Sequence, residues 1–492
     1  MPSLTFAAAL LTLLPQAPKV EAAPLARALD SIRAEELRAD LYFFASQEMK
    51  GRDTPSHEQR VAARFLRARL ERLGLTPGAG AGYFHEYPLN QRRIDPTGTR
   101  LTFTRPPADG KPPAEPLEPV LSYVLGQDYH LPTSSDIVTL VRSGGLVYCG
   151  QGERTDFEAV DARGKYALCL TSDMPSRRRA RYAENDGALG VLLIPDPAGE
   201  ADPAAVECQR TMEFAWKGLP AFRPDAAGEE PDVGQLFLSL AATRQLFETA
   251  GLARALPALG TDLRLDVHDL RDGTVTIPLE NVCALWPGSD PVLAKEVIIV
   301  SAHYDHVGEQ GGQIHPGADD NGSGSMGLLA LAQALTEYGP MRRSILLMWV
   351  SGEEKGLWGS DAWTKNPTLP PGHRAVCDLN IDMIGRNAPD YLLITPTKKL
   401  KQYNGLTRMA ESVAPLEGFP KLGSADEYWE RSDHKNFAVN MKIPVAFLFS
   451  DVHDDYHQPT DTPDKIDYDK IRRVMRLVLR MLDGLQTDTL TL

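Results

Sequence analysis

The chain has 492 residues, 42% hydrophobic and 24% charged, a balance found in folded globular proteins and foreign to disordered or fibrous ones. That length exceeds one ordinary hydrophobic core, so two or more domains are expected. A formal net charge of -14 at pH 7 repels phosphate backbones, and the basic runs RRIDPTGTR and PSRRRARY are too short to reverse it, so no nucleic-acid partner is expected.

The first feature is an apolar stretch from Leu4 to Leu14, followed by small residues at Ala22 and Ala23. Its length suits the centre of a signal peptide and falls short of a bilayer span, so residues 1–23 read as an export signal and the protein as periplasmic or extracellular. No Lys or Arg precedes the run, which keeps an ordinary buried N-terminal helix as the alternative. No later segment is apolar for long enough to be an integral membrane segment of the mature chain. Ser56 then caps a helix expected over His57–Leu73, with Val61, Phe65, Leu66, Leu70 and Leu73 on one face and Gly74 and Pro77 beyond its end. The Pro- and Gly-rich stretch from Asp95 to Pro119 reads as a boundary.

Short β-like runs follow: Gly145–Cys149, Tyr166–Leu170, Gly190–Ile194 and Gln235–Leu240, with a helix expected over Arg179–Gly187. These predict a smaller, inserted β-rich domain over 120–261. From Asn281 the rhythm changes. Val297–Val300, Ile345–Val350, Ala375–Ile381, Tyr391–Ile394 and Val445–Phe449 are continuous apolar runs, suited to strands buried on both faces. Helices are expected between and after them, over Ser325–Tyr338, Leu406–Val413 and Tyr468–Leu485. Segments 24–119 and 262–492 therefore read as one α/β domain, a three-layer α/β/α sandwich with a mixed, largely parallel sheet. Five scattered cysteines, Cys149, Cys169, Cys208, Cys283 and Cys377, have no CxxC spacing and supply neither a thiolate zinc site nor a disulfide framework; buried free thiols are expected, with a Cys149–Cys169 pair between neighbouring apolar runs as the alternative.

In open α/β sheets, ligands gather beyond the carboxyl ends of the strands. After VIIV comes SAHYDH, with His303 and Asp305; after ILLMWV comes SGEEKG, with Glu353 and Glu354. AVCDLNI runs directly into Asp382, and VAFLF is followed by SDVHDDYHQPTDT, with His457. The loop GADDNGSG brings Asp319 and Asp320 to the start of the next helix. Two imidazoles and three carboxylates, His303, Asp320, Glu354, Asp382 and His457, form a mixed N/O set that zinc accepts, large enough for two ions if one carboxylate bridges. Successive side chains on an extended backbone diverge, so only one of Glu353 and Glu354 can readily become a ligand. His306, His315, His373, His434 and His453 are read as hydrogen-bonded or solvated residues, Asp319 as a loop brace and Asp433 as a cap or brace of its turn. GADDNGSG lacks the Lys of a phosphate-cradling loop, and neither Ser301 nor Ser351 sits in a GxSxG turn.

The blocks AHYDHVG, PGADDNGSG, SGEEKGLWGS, NIDMIGR and YHQPTDTPDKID resemble, in order and spacing, the signatures of the M28 metallopeptidase family. NVCALWPGSDP and the upstream KGR and RLGLTPG are similar too, and the inserted region more loosely resembles a protease-associated (PA) domain. The resemblance implies an exported di-zinc exopeptidase acting on peptide substrates, an aminopeptidase first, with Mn2+ or Co2+ as possible substitutes for Zn2+. It implies that His303 and Asp382 bind one ion, that Glu354 and His457 bind the other, and that Asp320 bridges. Glu353 becomes the general base, Asp305 the acid orienting His303, Tyr456 the hydrogen-bond donor to the developing oxyanion, and Arg431 a substrate contact. A cis peptide at Asp320–Asn321 is also implied. The rival readings are a glutamate-type carboxypeptidase relying on Arg386 and Arg431, a glutaminyl cyclase-like transferase with a single zinc, and a non-catalytic receptor-type ectodomain.

Overall fold

Alternate residues of the strand Glu296–His303 enter two different cores. Ile298, Val300 and Ala302 pack with Leu41, Leu66, Leu328, Leu331 and Val478, whereas Val297 and Ile299 pack with Leu346, Met348, Trp363 and Phe437. A strand whose two faces both meet apolar layers must be apolar throughout, which is why these segments read as unbroken runs. Burying each such side chain contributes roughly 1.5–3 kcal/mol.

The computed structural model describes residues 23–92, 98–107, 116–130, 140–172, 174, 176–202, 234–252, 263–269 and 274–492. The stretch read as an export signal lies, apart from Ala23, outside the described residues, as does Cys208; Ala23 opens the helix Ala23–Ser31. The chain divides into two units, residues 1–87 with 279–492, and residues 88–278.

The first unit holds a nine-stranded sheet whose order is Thr76–Pro77, Thr274–Trp286, Ser344–Val350, Glu296–His303, Arg374–Asp382, Val445–Phe449, Leu393–Thr395 and Gly423–Ser424, with Phe84–Arg92 also paired to Thr274–Trp286. The four central strands run parallel, while Thr274–Trp286 pairs antiparallel with Ser344–Val350, and Leu393–Thr395 pairs antiparallel with Val445–Phe449 and parallel with Gly423–Ser424. Helices Ala34–Phe44, His57–Arg72, Gly324–Tyr338 and Tyr468–Gly484 contribute to the larger core, and Trp358–Lys365 to the core on the other face. This is the three-layer mixed sandwich expected. Ser56 caps its helix as expected, its hydroxyl accepting from the Gln59 amide at 2.9 Å.

The second unit has its own eight-stranded sheet, in the order Leu121–Tyr123, Arg100–Thr104, Arg264–Asp269, Leu140–Tyr148, Lys165–Leu170, Gly190–Ile194, Gln235–Leu238 and Tyr129–His130. The expected insert, 120–261, differs from this unit at both ends. Arg100–Thr104, inside the Pro-rich stretch read as a boundary, pairs with Leu121–Tyr123 and with Arg264–Asp269, and so carries residues 88–119 and 262–278 into the second unit. Cys149, Cys169, Cys283 and Cys377 are buried free thiols. Among the described residues, no helix is long and apolar enough to cross a membrane.

Candidate metal centre

His303 and Asp382 are the last residues of neighbouring parallel strands, so backbone pairing brings both side chains to one rim. His303 Nε2 lies 3.2 Å from Asp382 Oδ1 and 3.4 Å from Asp320 Oδ1. Glu354 follows the end of Ser344–Val350, and His457 follows Val445–Phe449. His457 Nε2 stands 3.0 Å from Asp320 Oδ2 and 3.2 Å from Glu354 Oε2, yet has hydrogen-bond geometry to neither. All five ligands expected from the sequence are therefore brought together, in two groups that share Asp320.

The loop bearing Asp320 is held from several directions. Its backbone turns at Gly317, whose φ is +61°, and the Asp320–Asn321 peptide is cis as the resemblance implied. The Asp461 carboxylate accepts from the amides of Asp319 (3.0 Å) and Asp320 (3.2 Å). Asn321 donates from its side-chain amide to the Ile381 carbonyl at 2.9 Å, tying the loop to the Asp382 strand. Arg52, fully buried, donates to the carbonyls of Phe44, Tyr304, Pro316 and Gly317 and so joins this loop to the His303 strand end. Asp319 behaves as the brace expected, accepting from the Gly385 amide at 2.7 Å.

Asp305 does more than orient one imidazole. His303 Nδ1 is nearer the Asp305 backbone carbonyl (3.2 Å) than the Asp305 carboxylate (3.7 Å), so the main chain is the closer partner. The carboxylate itself accepts from the Thr54 hydroxyl at 3.0 Å and the Glu353 amide at 3.3 Å. Asp382 is fixed in turn by the Ser432 hydroxyl at 2.9 Å. Of the two roles expected for Asp433, the side-chain cap to the short helix that follows is absent, while its carboxylate accepts from the Ser360 hydroxyl at 2.5 Å.

The charges call for cations. Burial opposes a proton on His303, yet the Asp382 and Glu353 carboxylates more than reverse it and hold the imidazole well above its ordinary value. Glu353 is pushed well above the carboxylate range by burial, with the neighbouring Glu354 charge adding and His303 opposing. Glu354 moves the other way: burial and Asp320 raise it, but His306 and His457 outweigh them. Four acids meeting under burial with imidazoles, and a His457 nitrogen aimed at neither carboxylate, match a divalent-cation donor set better than pairwise hydrogen bonding.

His306 is the residue the sequence reading missed. The sequence reads it as hydrogen-bonded or solvated; its ring is fully buried and Nδ1 lies 2.9 Å from Glu354 Oε1. Its position three residues after His303, past a strand end, was the available signal. His453 also stands close by, 3.3 Å from Asp319, whereas His315, His373 and His434 belong to neither donor group.

A cavity of about 370 Å³ opens over the centre. Its apolar wall includes Leu357, Met383, Tyr428, Phe447, Phe449 and Val452, and its acids are Asp320, Glu353, Glu354, Asp382 and Glu430. Arg431 is its sole guanidinium among the described residues, and it donates to the Tyr456 hydroxyl at 3.3 Å. Tyr456 stacks on His457 at 3.9 Å, and burial together with the nearby acids raises its phenol, keeping it a proton donor. Arg386 is engaged elsewhere, paired with Asp455 at 2.8 Å.

Residues 281–482 match the model of peptidase family M28. A "Probable leucine aminopeptidase" of Arthroderma otae is 29% identical over 40% of this chain and 56% of its own length. Leupeptin-inactivating enzyme 1 of Streptomyces exfoliatus is 33% identical over 35% of each chain, and aminopeptidase YwaD of Bacillus subtilis is 22% identical over 68% of this chain and 65% of its own. The chain thus spans between about a third and just under two thirds of these relatives. Among solved structures, an aminopeptidase from Aneurinibacillus sp. strain AM-1 shares the fold with a TM-score of 0.53 at 19% identity, covering 94% of this chain and 96% of that one.

Proposed function

We propose that this chain, whose residues 281–482 match the model of peptidase family M28, is a two-zinc aminopeptidase that removes N-terminal residues with bulky apolar side chains. The observation that carries the reading is the pair of donor groups sharing Asp320: His303, Asp320 and Asp382 on one side, Asp320, Glu354 and His457 on the other. When bound, two ions would polarise a peptide carbonyl and supply hydroxide at neutral pH. Glu353, left outside both donor groups and lining the cavity, is placed to take a proton from water and deliver it to the leaving amine. Tyr456, kept protonated, is suited to donate to the oxyanion as it develops.

The chemistry of the cavity supports an amine terminus. With Asp320, Glu354 and Asp382 taken up by the ions, Glu430 is the acid outside the proposed machinery that remains to receive a free α-ammonium. A glutamate-type carboxypeptidase would need more cationic groups, and Arg386 is committed to Asp455. The second donor group counts against a single-zinc transferase, and retention of Glu353 beside complete ligands counts against a pure binding module. Met383, Tyr428, Phe447 and Phe449 favour a large apolar first side chain, in keeping with the name of the Arthroderma relative. The inserted unit is read as PA-like, and the Leu4–Leu14 run supports export to the periplasm or beyond.

The test is a panel of aminoacyl-anilides and of dipeptides with free or blocked termini, assayed with and without chelator. Cleavage should require the free amine and bound metal. It should favour Leu or Phe over Asp by about 10–200-fold, the range one apolar pocket achieves. Turnover of N-blocked, C-free dipeptides would instead select the carboxypeptidase.

A further inference from the structure

We propose that His306 is itself a metal ligand, the fourth protein donor of the group formed by Asp320, Glu354 and His457, so that the two ions are held unequally and bind in order. The inference rests on the two-metal reading above.

Four donors arranged tetrahedrally around zinc at about 2.0–2.1 Å stand about 3.3–3.4 Å from one another. The separations found here bracket that value: His306 Nδ1 to Glu354 Oε1 is 2.9 Å and to Asp320 Oδ2 is 3.8 Å, while His457 Nε2 lies 3.0 and 3.2 Å from the same two acids. All four donor atoms fall within 4.8 Å of one another. The two imidazoles meet edge to face, with ring centroids 5.4 Å apart.

The His306 ring is also built into place. A Cβ on Gly317 would come within 2.5 Å of His306 Cγ and Cδ2, so the loop that delivers Asp320 leaves room for this ring by having glycine there. Nε2 is buried and has no hydrogen-bond partner among the described residues, so the polar contacts of the ring run through Nδ1. A histidine retained only to fill the core would not need its one engaged nitrogen among three other metal-type donors.

The consequence is asymmetry. The group containing His306 has four protein donors and is closed, whereas His303, Asp320 and Asp382 supply three and leave a position open. The closed group fills first, and the open one faces substrate.

The experiment uses the full chain stripped by chelator and titrated with Zn2+ or Co2+. One equivalent of Co2+ should give the intense visible absorption of four-coordination. Because His306 would bind through Nδ1, close to its own Cβ, a cysteine thiolate reaches nearly the same point. His306→Cys with one equivalent of Co2+ should therefore gain a thiolate-to-cobalt charge-transfer band that the wild type, with its native cysteines, lacks. His306→Ala should weaken the tighter Zn2+ site by more than the ~10–100-fold typical of losing an outer hydrogen-bond partner, and leave the weaker site alone. A folded, cobalt-binding His306→Cys without that band overturns the proposal. So does a His306→Ala variant whose loss stays within ~10–100-fold with an unchanged cobalt spectrum, which would make His306 a hydrogen-bond partner of Glu354. A wild-type protein that takes up only one ion ends the two-metal reading and the ordered binding with it, while the charge-transfer band still decides on His306.

Discussion

Glu353 and Glu354 are adjacent, chemically identical and pushed in opposite directions by their surroundings. Glu354 faces two imidazoles; Glu353 faces mainly other acids from within the protein. Such a division is how one site runs both ligand and proton-transfer chemistry with the same side chain. Glu353→Gln is expected to keep its metal content, measured by elemental analysis, and to lose about 10²–10⁴-fold in kcat. A second expectation concerns Arg52, whose guanidinium also lies over the Phe44 ring at 4.4 Å. Arg52→Met would leave four buried carbonyls short of a donor and should cost on the order of 3–5 kcal/mol in urea unfolding. Arg52 was visible in the sequence only as part of KGR; nothing about an isolated Arg announces that it knits three loops together. The five expected ligands were legible because each follows a continuous apolar run, whose end in a parallel sheet has one possible location. His306 was not, because a histidine in a loop carries no periodicity to say which way it points.

Elements show the same division. Helices and strands with an uninterrupted apolar stripe match their expected spans within a few residues, as Gly190–Ile194 and Val445–Phe449 do without change. The strand Arg100–Thr104 is hidden among prolines, since a five-residue strand paired on both sides gains its identity from its partners rather than from its own pattern. Beyond the Asp382 strand, the short helix at His434 carries a pH dependence. Burial pulls the His434 imidazole down from 6.5 to about 3, and its ring stacks on Phe447 at 4.6 Å. Between those two values the unfolded chain takes up a proton that the folded one refuses. This contribution is therefore fully present above pH 6.5 and is lost as pH falls toward 3. In metal-free protein, His434→Leu should flatten the fall of stability with acidification by up to about 1.4 kcal/mol per pH unit, read from denaturant midpoints at pH 7 and pH 5. At the other side of the centre, Gly317→Ala places a methyl 2.3 Å from the Asp320 carbonyl at a φ of +61°, and should lower Zn2+ affinity along with stability.

At the scale of the whole molecule, the two units have separate hydrophobic cores, and every donor of the metal centre lies in the first. Metal held by the proposed donors would bind the folded first unit and so stabilise it, by about 2.7 kcal/mol for an ion present at 100 times its Kd. Calorimetry should then resolve two transitions, of which chelator lowers one and leaves the other in place. The composition announced more than one domain, but its seam is set by strand pairing rather than by the Pro-rich stretch that first drew the eye. That seam has a practical meaning. The chain departs for residues 88–278 after Phe84–Arg92 begins and returns along Thr274–Trp286, and these two segments are hydrogen-bonded neighbours in one sheet. Neighbouring strands are about 4.8 Å apart, a gap that two residues in a tight hairpin can bridge. The intervening 191 residues are thus a cassette spliced into a hairpin: cut out and replaced by Asn-Gly, they should leave behind a shorter protein that still assembles its first unit.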